Sequence, residues 1–128
     1  MIEEINLLCD RVRQTAYDIR VYHGPGYIEK VYTNALIHRL RKSGIEVSRH
    51  PLIEVFDEDG TLIGDFEADL LVDQKVLLEL KAVKALAPEH EAQIVGYLKG
   101  SQIKDGLLIN FGAYKFEIRK YRWTEREF

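Results

Sequence analysis

The order of periodic segments predicts an α/β fold. Three observations carry it: apolar residues spaced by three or four in two early segments, apolar–polar alternation in the middle of the chain, and glycine or proline where one period gives way to another. The resulting order is helix, helix, three strands, helix, two strands. At 128 residues and 46% hydrophobic content the chain fits one compact domain spanning 1–128, with a real core and little room for a second.

Ile2, Ile5, Cys9, Val12, Ala16 and Ile19 make the stripe of an amphipathic helix that ends before Tyr22, and His23-Gly24-Pro25-Gly26 breaks it. Pro25 suits the first position of a second helix, where its missing N–H is not needed. Ile28, Val31, Tyr32, Ala35, Leu36 and Leu40 give that helix a buried stripe, and Ser43-Gly44 its stop. Residues 45–56 read as a strand, irregular at Pro51, before a turn at Asp57-Glu58-Asp59-Gly60. Strands over 64–72 and 76–81 follow. Pro88 starts a third helix that Gly100 ends. Residues 106–111 are apolar enough for a buried strand, and 115–123 alternate like an edge strand after a turn at Gly112.

The 64–72 and 76–81 strands carry the chemistry. In the first, Phe66, Ala68, Leu70 and Val72 share a face and Glu67 and Asp69 the other; in the second, Val76, Leu78 and Leu80 oppose Leu77, Glu79 and Lys81. A loop of Asp73-Gln74-Lys75 pairs Val72 with Val76, which sets Asp69 opposite Glu79 and Glu67 opposite Lys81. Facing carboxylates about 5 Å apart repel by roughly 3 kcal/mol at an effective dielectric near 20. A divalent cation between them would compensate, with Mg2+ or Mn2+ suited to hard oxygen ligands, and a nearby lysine could orient water or balance charge on a phosphate. The same spacing also fits a plain solvated hairpin with a Glu67–Lys81 ion pair.

In the third helix His90, Gln93 and Tyr97 share a stripe, apart from Ile94 and Leu98. Gln93 and Tyr97 offer donors and acceptors for a phosphate backbone or for a carboxylate beside a cation, or they are simply a solvated amide and a core-edge ring. His90 stands near the helix start, where polar residues are usual.

Lys plus Arg is 18 and Asp plus Glu 21, a net charge of −3, which argues against nonspecific coating of nucleic acid. Contact with it would be local, at basic windows Arg39, Arg41, Lys42 and Arg49, or Lys115, Arg119, Lys120, Arg122 and Arg126; solvated surface explains either window as well. With Cys9 the only cysteine, an intramolecular disulfide is excluded and a cytoplasmic location expected. The acidic start lacks a signal-peptide pattern, no run is long enough to span a bilayer, and no membrane partner is expected. Oligomeric state stays open, a homodimer included.

Asp69, then Glu79-Leu80-Lys81, then Gln93-Ile94-Val95-Gly96-Tyr97 resembles the PD-(D/E)XK nuclease superfamily, in particular the RecB-like branch with a Gln-x-x-x-Tyr motif. Gly26-Tyr27-Ile28-Glu29-Lys30-Val31-Tyr32 is similar to the pattern that names the GxxExxY proteins of that superfamily. His23-Gly24-Pro25-Gly26, Ala68-Asp69-Leu70-Leu71-Val72, Glu79-Leu80-Lys81-Ala82-Val83 and His90-Glu91-Ala92-Gln93 with Tyr97-Leu98-Lys99 also resemble that family, over roughly residues 5–111. The family often has arginine two residues before its aspartate; this chain has Glu67, a further acid that could compete for Lys81.

The resemblance implies a mixed central sheet flanked by helices, restriction-endonuclease-like, with the site where the Asp69 and Glu79–Lys81 strands diverge. It implies that Asp69, Glu79 and the Leu80 carbonyl hold Mg2+ or Mn2+, with Glu29 as a further ligand or supporting acid. Lys81 would position the water, and Gln93 and Tyr97 would touch the substrate. Glu29 also has an ordinary reading, since a carboxylate in a helix's first turn gains roughly 0.3–1 kcal/mol from the dipole. The function implied is a metal-dependent nuclease that hydrolyses phosphodiester bonds in DNA. The alternative is a catalytically silent module of the same fold that binds nucleic acid or protein.

Overall fold

Alternation along β5 (Val76–Lys81) divides the molecule into two cores. Val76, Leu78 and Leu80 enter one buried cluster and Leu77 the other, as the period of two requires. The computed structural model describes residues 2–124. Its remaining elements are α1 (Ile2–His23), α2 (Glu29–Lys42), β1 (Val47–Arg49), β2 (Leu52–Phe56), β3 (Leu62–Glu67), β4 (Leu70–Val72), α3 (Pro88–Ser101), β6 (Asp105–Asn110) and β7 (Glu117–Arg122).

A five-stranded sheet has the order β1-β4-β5-β6-β7, and β2 pairs only with β3 in a separate ribbon. β5 and β6 are parallel and every other pairing is antiparallel, so the main sheet is mixed as expected. On one face Leu8, Val12, Ala16 and Ile19 of α1 and Tyr32, Leu36 and Leu40 of α2 pack against Leu78, Leu80, Leu107 and Ile109. On the other, Leu98 of α3 and Ile53 of the ribbon cover Leu71 and Leu77. Residues 105–110 are all buried, because β6 has helices over both faces and strands on both sides.

Several boundaries move, for local reasons. α2 begins at Glu29, not Pro25, because Gly24 and Gly26 take φ of +69° and +119°, which a right-handed helix cannot contain. Ile28 therefore lies outside the helix and is 71% exposed rather than part of the buried stripe. α1 continues to His23, past Tyr22. The strand expected over 45–56 breaks into β1 and β2 at His50-Pro51, with His50 at φ +53°.

The strand expected over 64–72 breaks at Ala68-Asp69 into β3 and β4, which belong to different sheets. Phe66 and Ala68 thereby join Leu71 and Leu77, while Leu70 and Val72 face α1 and α2. Glu67 pairs with Leu52 in the ribbon, so the expected Glu67–Lys81 pairing does not form, and among the described residues no ion pair joins Lys81 to a carboxylate. The loop after β4 does have three residues, and Val72 pairs with Val76. Asp73 and Gln74 both take positive φ there, and bonds between Asp73 and the Glu46 backbone tie the loop to the start of β1.

Candidate active site

β4 stops pairing with β5 at Leu70–Leu78, and one residue farther the side chains take over the ladder. The Asp69 N–H donates to Glu79 Oε1 at 2.9 Å, and the Leu80 N–H donates to Asp69 Oδ2 at 2.8 Å. Each acid thus satisfies the other strand's backbone across the opening. The bend is held from outside: the His50 N–H donates to the Asp69 carbonyl at 2.9 Å and the Ala68 N–H to the Pro51 carbonyl at 3.2 Å. The break at His50-Pro51 is therefore what presents Asp69.

Glu79 is only 3% exposed. Its carboxyl is pushed up to about 8, first by burial and then by the Asp69 charge, against the lowering effects of the Asp69 N–H and Lys81. Burial also raises the Glu29 carboxyl, helped by Asp69 and opposed by Lys81, which puts the first residue of α2 within electrostatic reach of both. Among the described residues no three His, Cys, Asp or Glu side chains converge as a group able to hold a metal ion, so the acidic nucleus is the Asp69–Glu79 pair.

The Lys81 carbonyl accepts from the Phe111 N–H on the β6 side. Alternation then turns the Leu80 carbonyl to the opposite edge, where its own N–H meets Asp69. Two carboxylates and one carbonyl make an all-oxygen donor set of the kind hard divalent cations take, with water completing the shell. The donor chemistry fits Mg2+ or Mn2+.

Lys81 Nζ donates to Gln93 Oε1 at 3.0 Å, and Gln93 Nε2 donates to the Tyr97 hydroxyl at 2.8 Å. The stripe on α3 does face the site, and Gln93 fixes the lysine head. Tyr97 also stacks on Phe66, centroids 4.4 Å apart, and its hydroxyl is raised by burial and then by the Glu79 charge. His90 is absent from this chain of contacts; its Nδ1 accepts the Ala87 N–H at 2.9 Å and caps α3.

Tyr32, one turn after Glu29, is buried, donates to the Gly24 carbonyl at 2.6 Å and stacks on Phe111 at 4.7 Å and 5°. It pins the Gly24–Gly26 turn that lets α2 start at Glu29. Sequence reasoning missed two supports. Asn110 is fully buried and bonds Val83 through both its amide groups, holding the loop that leaves Lys81; a lone polar residue in the apolar 106–111 run was its signal. Arg20 donates to the Phe111, Ala113 and Tyr114 carbonyls, and no pattern in the sequence marked it.

An acid-bearing strand pair opening at one end of a mixed, helix-covered sheet defines an α/β fold of the restriction-endonuclease type. The model of the PD-(D/E)XK nuclease superfamily matches residues 6–121, and the chain belongs to that superfamily, whose members typically use divalent metal ions. The crystal structure of SSO0001 is similar in fold, with a TM-score of 0.59 and 13% identity over 73% of this chain and 48% of that one. The chain spans about half the length of that structure. No curated protein matches it.

Proposed function

We propose that this chain is a single-domain, Mg2+- or Mn2+-dependent nuclease that hydrolyses phosphodiester bonds, in DNA first of all. The observation that carries this is the reciprocal Asp69–Glu79 bonding where β4 leaves β5, with Lys81 two residues on and held by Gln93. Asp69, Glu79 and the Leu80 carbonyl would hold the cation, with Glu29 as a supporting acid or further ligand. A bound cation supplies Lewis-acid polarisation of the phosphate and a more acidic water.

The protein's own groups do the rest. Gln93 Oε1 accepts from one Lys81 N–H and leaves the ammonium's other N–H groups to orient a water or offset phosphate charge. Gln93 and Tyr97 border the lysine and would contact the substrate backbone. The Gly26–Glu29–Tyr32 spacing, with Tyr32 pinning the turn that presents Glu29, supports placing the chain among the GxxExxY proteins. A lone cysteine suits the cytoplasm, and among the described residues no helix is long and apolar enough to cross a membrane.

The net charge of −3 favours the rival reading, a silent binding module. Cleavage decides between them. Purified protein with Mn2+ or Mg2+ should cut some member of a panel of single-stranded and duplex DNA and RNA, and Lys81→Ala should abolish cutting while sparing binding. A folded, metal-loaded wild type inactive on the whole panel would establish the silent module, and a fully active Lys81→Ala would show that the cutting does not come from this site.

A further inference from the structure

A line of aromatic rings runs from solvent into the core, reaching Phe111. Tyr22 meets His23 edge-on at 4.8 Å, His23 meets Tyr27 at 6.0 Å, Tyr27 meets Tyr32 at 6.0 Å, and Tyr32 stacks on Phe111. Phe111 in turn donates its N–H to the Lys81 carbonyl. The inner rings are core, but Tyr22 is 78% and Tyr27 51% exposed, and His23 is exposed between them. Tyr22, His23 and Tyr27 thus leave a contiguous patch of ring surface in water, the kind of patch that marks a binding surface.

His23 also belongs to a groove of about 640 Å³ lined by Ala35, His38, Arg39, Lys42 and Ser43. A second groove shares His38 and Lys42 and adds Asn34, Ile37, Arg41 and Arg49. Neither lining contains a carboxylate, and among the described residues no ion pair engages Arg39, Arg41, Lys42 or Arg49. The other basic window differs in its carboxylate partners: Arg119 is bound to Glu91 and Arg122 pairs with Asp105, while Arg126 lies outside the described residues. Arg41 donates to the Val47 carbonyl and Arg49 to Asn34, but among the described residues neither their charges nor those of Arg39 and Lys42 meet a carboxylate, and in a chain of net charge −3 cations gathered so on one face suit an anionic occupant.

We infer that Tyr22, His23 and Tyr27, together with the Arg39–Lys42 groove of α2, bind single-stranded nucleic acid, bases against the rings and phosphates along the groove. This deepens the nuclease reading and rests on it for what happens at Lys81. The pairing of rings with cations selects the strand over the duplex: unpaired bases have faces to stack, whereas duplex bases are stacked on one another and out of reach.

The test is binding of fluorescein-labelled oligothymidylate, and of a duplex of equal length, to the whole protein in EDTA, followed by anisotropy. The strand should bind about tenfold or more tighter than the duplex. Tyr22→Ala should weaken strand binding about tenfold, the ordinary worth of one stacked base, and leave duplex binding unmoved, with Tyr22→Trp restoring it. Arg39→Ala with Lys42→Ala should lower the salt dependence for the strand by about 0.7 per cation removed. Tyr22 is exposed in the last turn of α1, so its variants keep the fold, and circular dichroism checks this.

Equal affinity for strand and duplex with no effect of Tyr22→Ala would overturn the inference. So would binding to neither. Strand-selective binding without any cleavage under Mn2+ would sink the nuclease reading and leave this inference standing. Cleavage with no strand preference in binding would do the reverse.

Discussion

Two antiparallel hairpins in this molecule carry acids on facing strands, and only one makes a candidate site. In β2–β3, Glu54 lies opposite Asp65 with both exposed; at the mouth of β4–β5, Asp69 and Glu79 meet with Glu79 buried. In water two charges about 5 Å apart repel by under about 1 kcal/mol, and at an effective dielectric near 20 by about 3. The exposed pair is dissipated by solvent. The other two acids instead take up the backbone N–H groups of the opposite strand, and burial pushes the Glu79 carboxyl up to about 8. Burial, more than the pattern of acids, separates a surface from a site.

The largest expected effect of that difference is on catalysis. Glu79→Gln or Asp69→Asn should lower metal-dependent cleavage by at least about 10–100-fold, the range for groups that merely support a metal ligand. Glu54→Gln and Asp65→Asn should leave initial rates unchanged. A comparable loss from the Glu54 variant would erase the distinction between the hairpins.

Stability should follow the same division. Leu78 is fully buried between α1, α2 and the sheet, so Leu78→Ala should cost about 2–5 kcal/mol by urea denaturation. Leu62, in the exposed ribbon, should cost about 0.5 kcal/mol or less on the same change. Near-equal costs would mean that the ribbon folds as part of the main core.

The α/β class, the three helices and the Val72–Val76 register were legible because they follow from period and loop length. The acids' meeting was legible for the same reason. The breaks at His50-Pro51 and Ala68-Asp69 were not, because alternation runs unbroken through the second one: Gly64 to Val72 reads as one strand until tertiary packing moves Phe66 to α3 and Leu70 to α1 and α2. Glu67 was misplaced by the same break. Pro25 was a fair helix start by its own chemistry, overruled by flanking glycines at positive φ. Arg20 acts on carbonyls 91 to 94 residues away, a contact no local spacing encodes.

A smaller effect concerns pH and metal. The Glu79 carboxyl rises from an ordinary 4.5 to about 8 on folding, so between those values the folded chain holds more protons than the unfolded one. In metal-free buffer this group's contribution makes stability fall as pH rises from about 4.5 to about 8, with no change below that window. Glu79→Gln should flatten this part of a melting profile, and Glu54→Gln should not. Asp69→Asn at pH 8 should be neutral or stabilising without metal, while millimolar Mg2+ should raise the melting temperature of the wild type and not of the variant. Equal shifts in both would place the cation elsewhere.

The smallest expected effect probes the joint between the two hairpins. An added Cβ at Gly100 of α3 would stand 3.1 Å from Val55, 3.3 Å from Phe66 and 3.4 Å from Ile53, so the ribbon must give by a few tenths of an ångström. Alanine gains up to about 1 kcal/mol in helix propensity, less so close to the helix end, and mild overpacking costs about the same. The net change in stability for Gly100→Ala should therefore lie between zero and about 1 kcal/mol of destabilisation. Catalysis is the sharper readout, because Phe66 stacks on Tyr97, Tyr97 accepts from Gln93, and Gln93 holds Lys81. A displacement of tenths of an ångström passed along that chain should cost cleavage a few-fold. Unchanged cleavage would make the exposed hairpin a bystander, and a hundredfold loss at unchanged stability would make it part of the frame that holds the lysine.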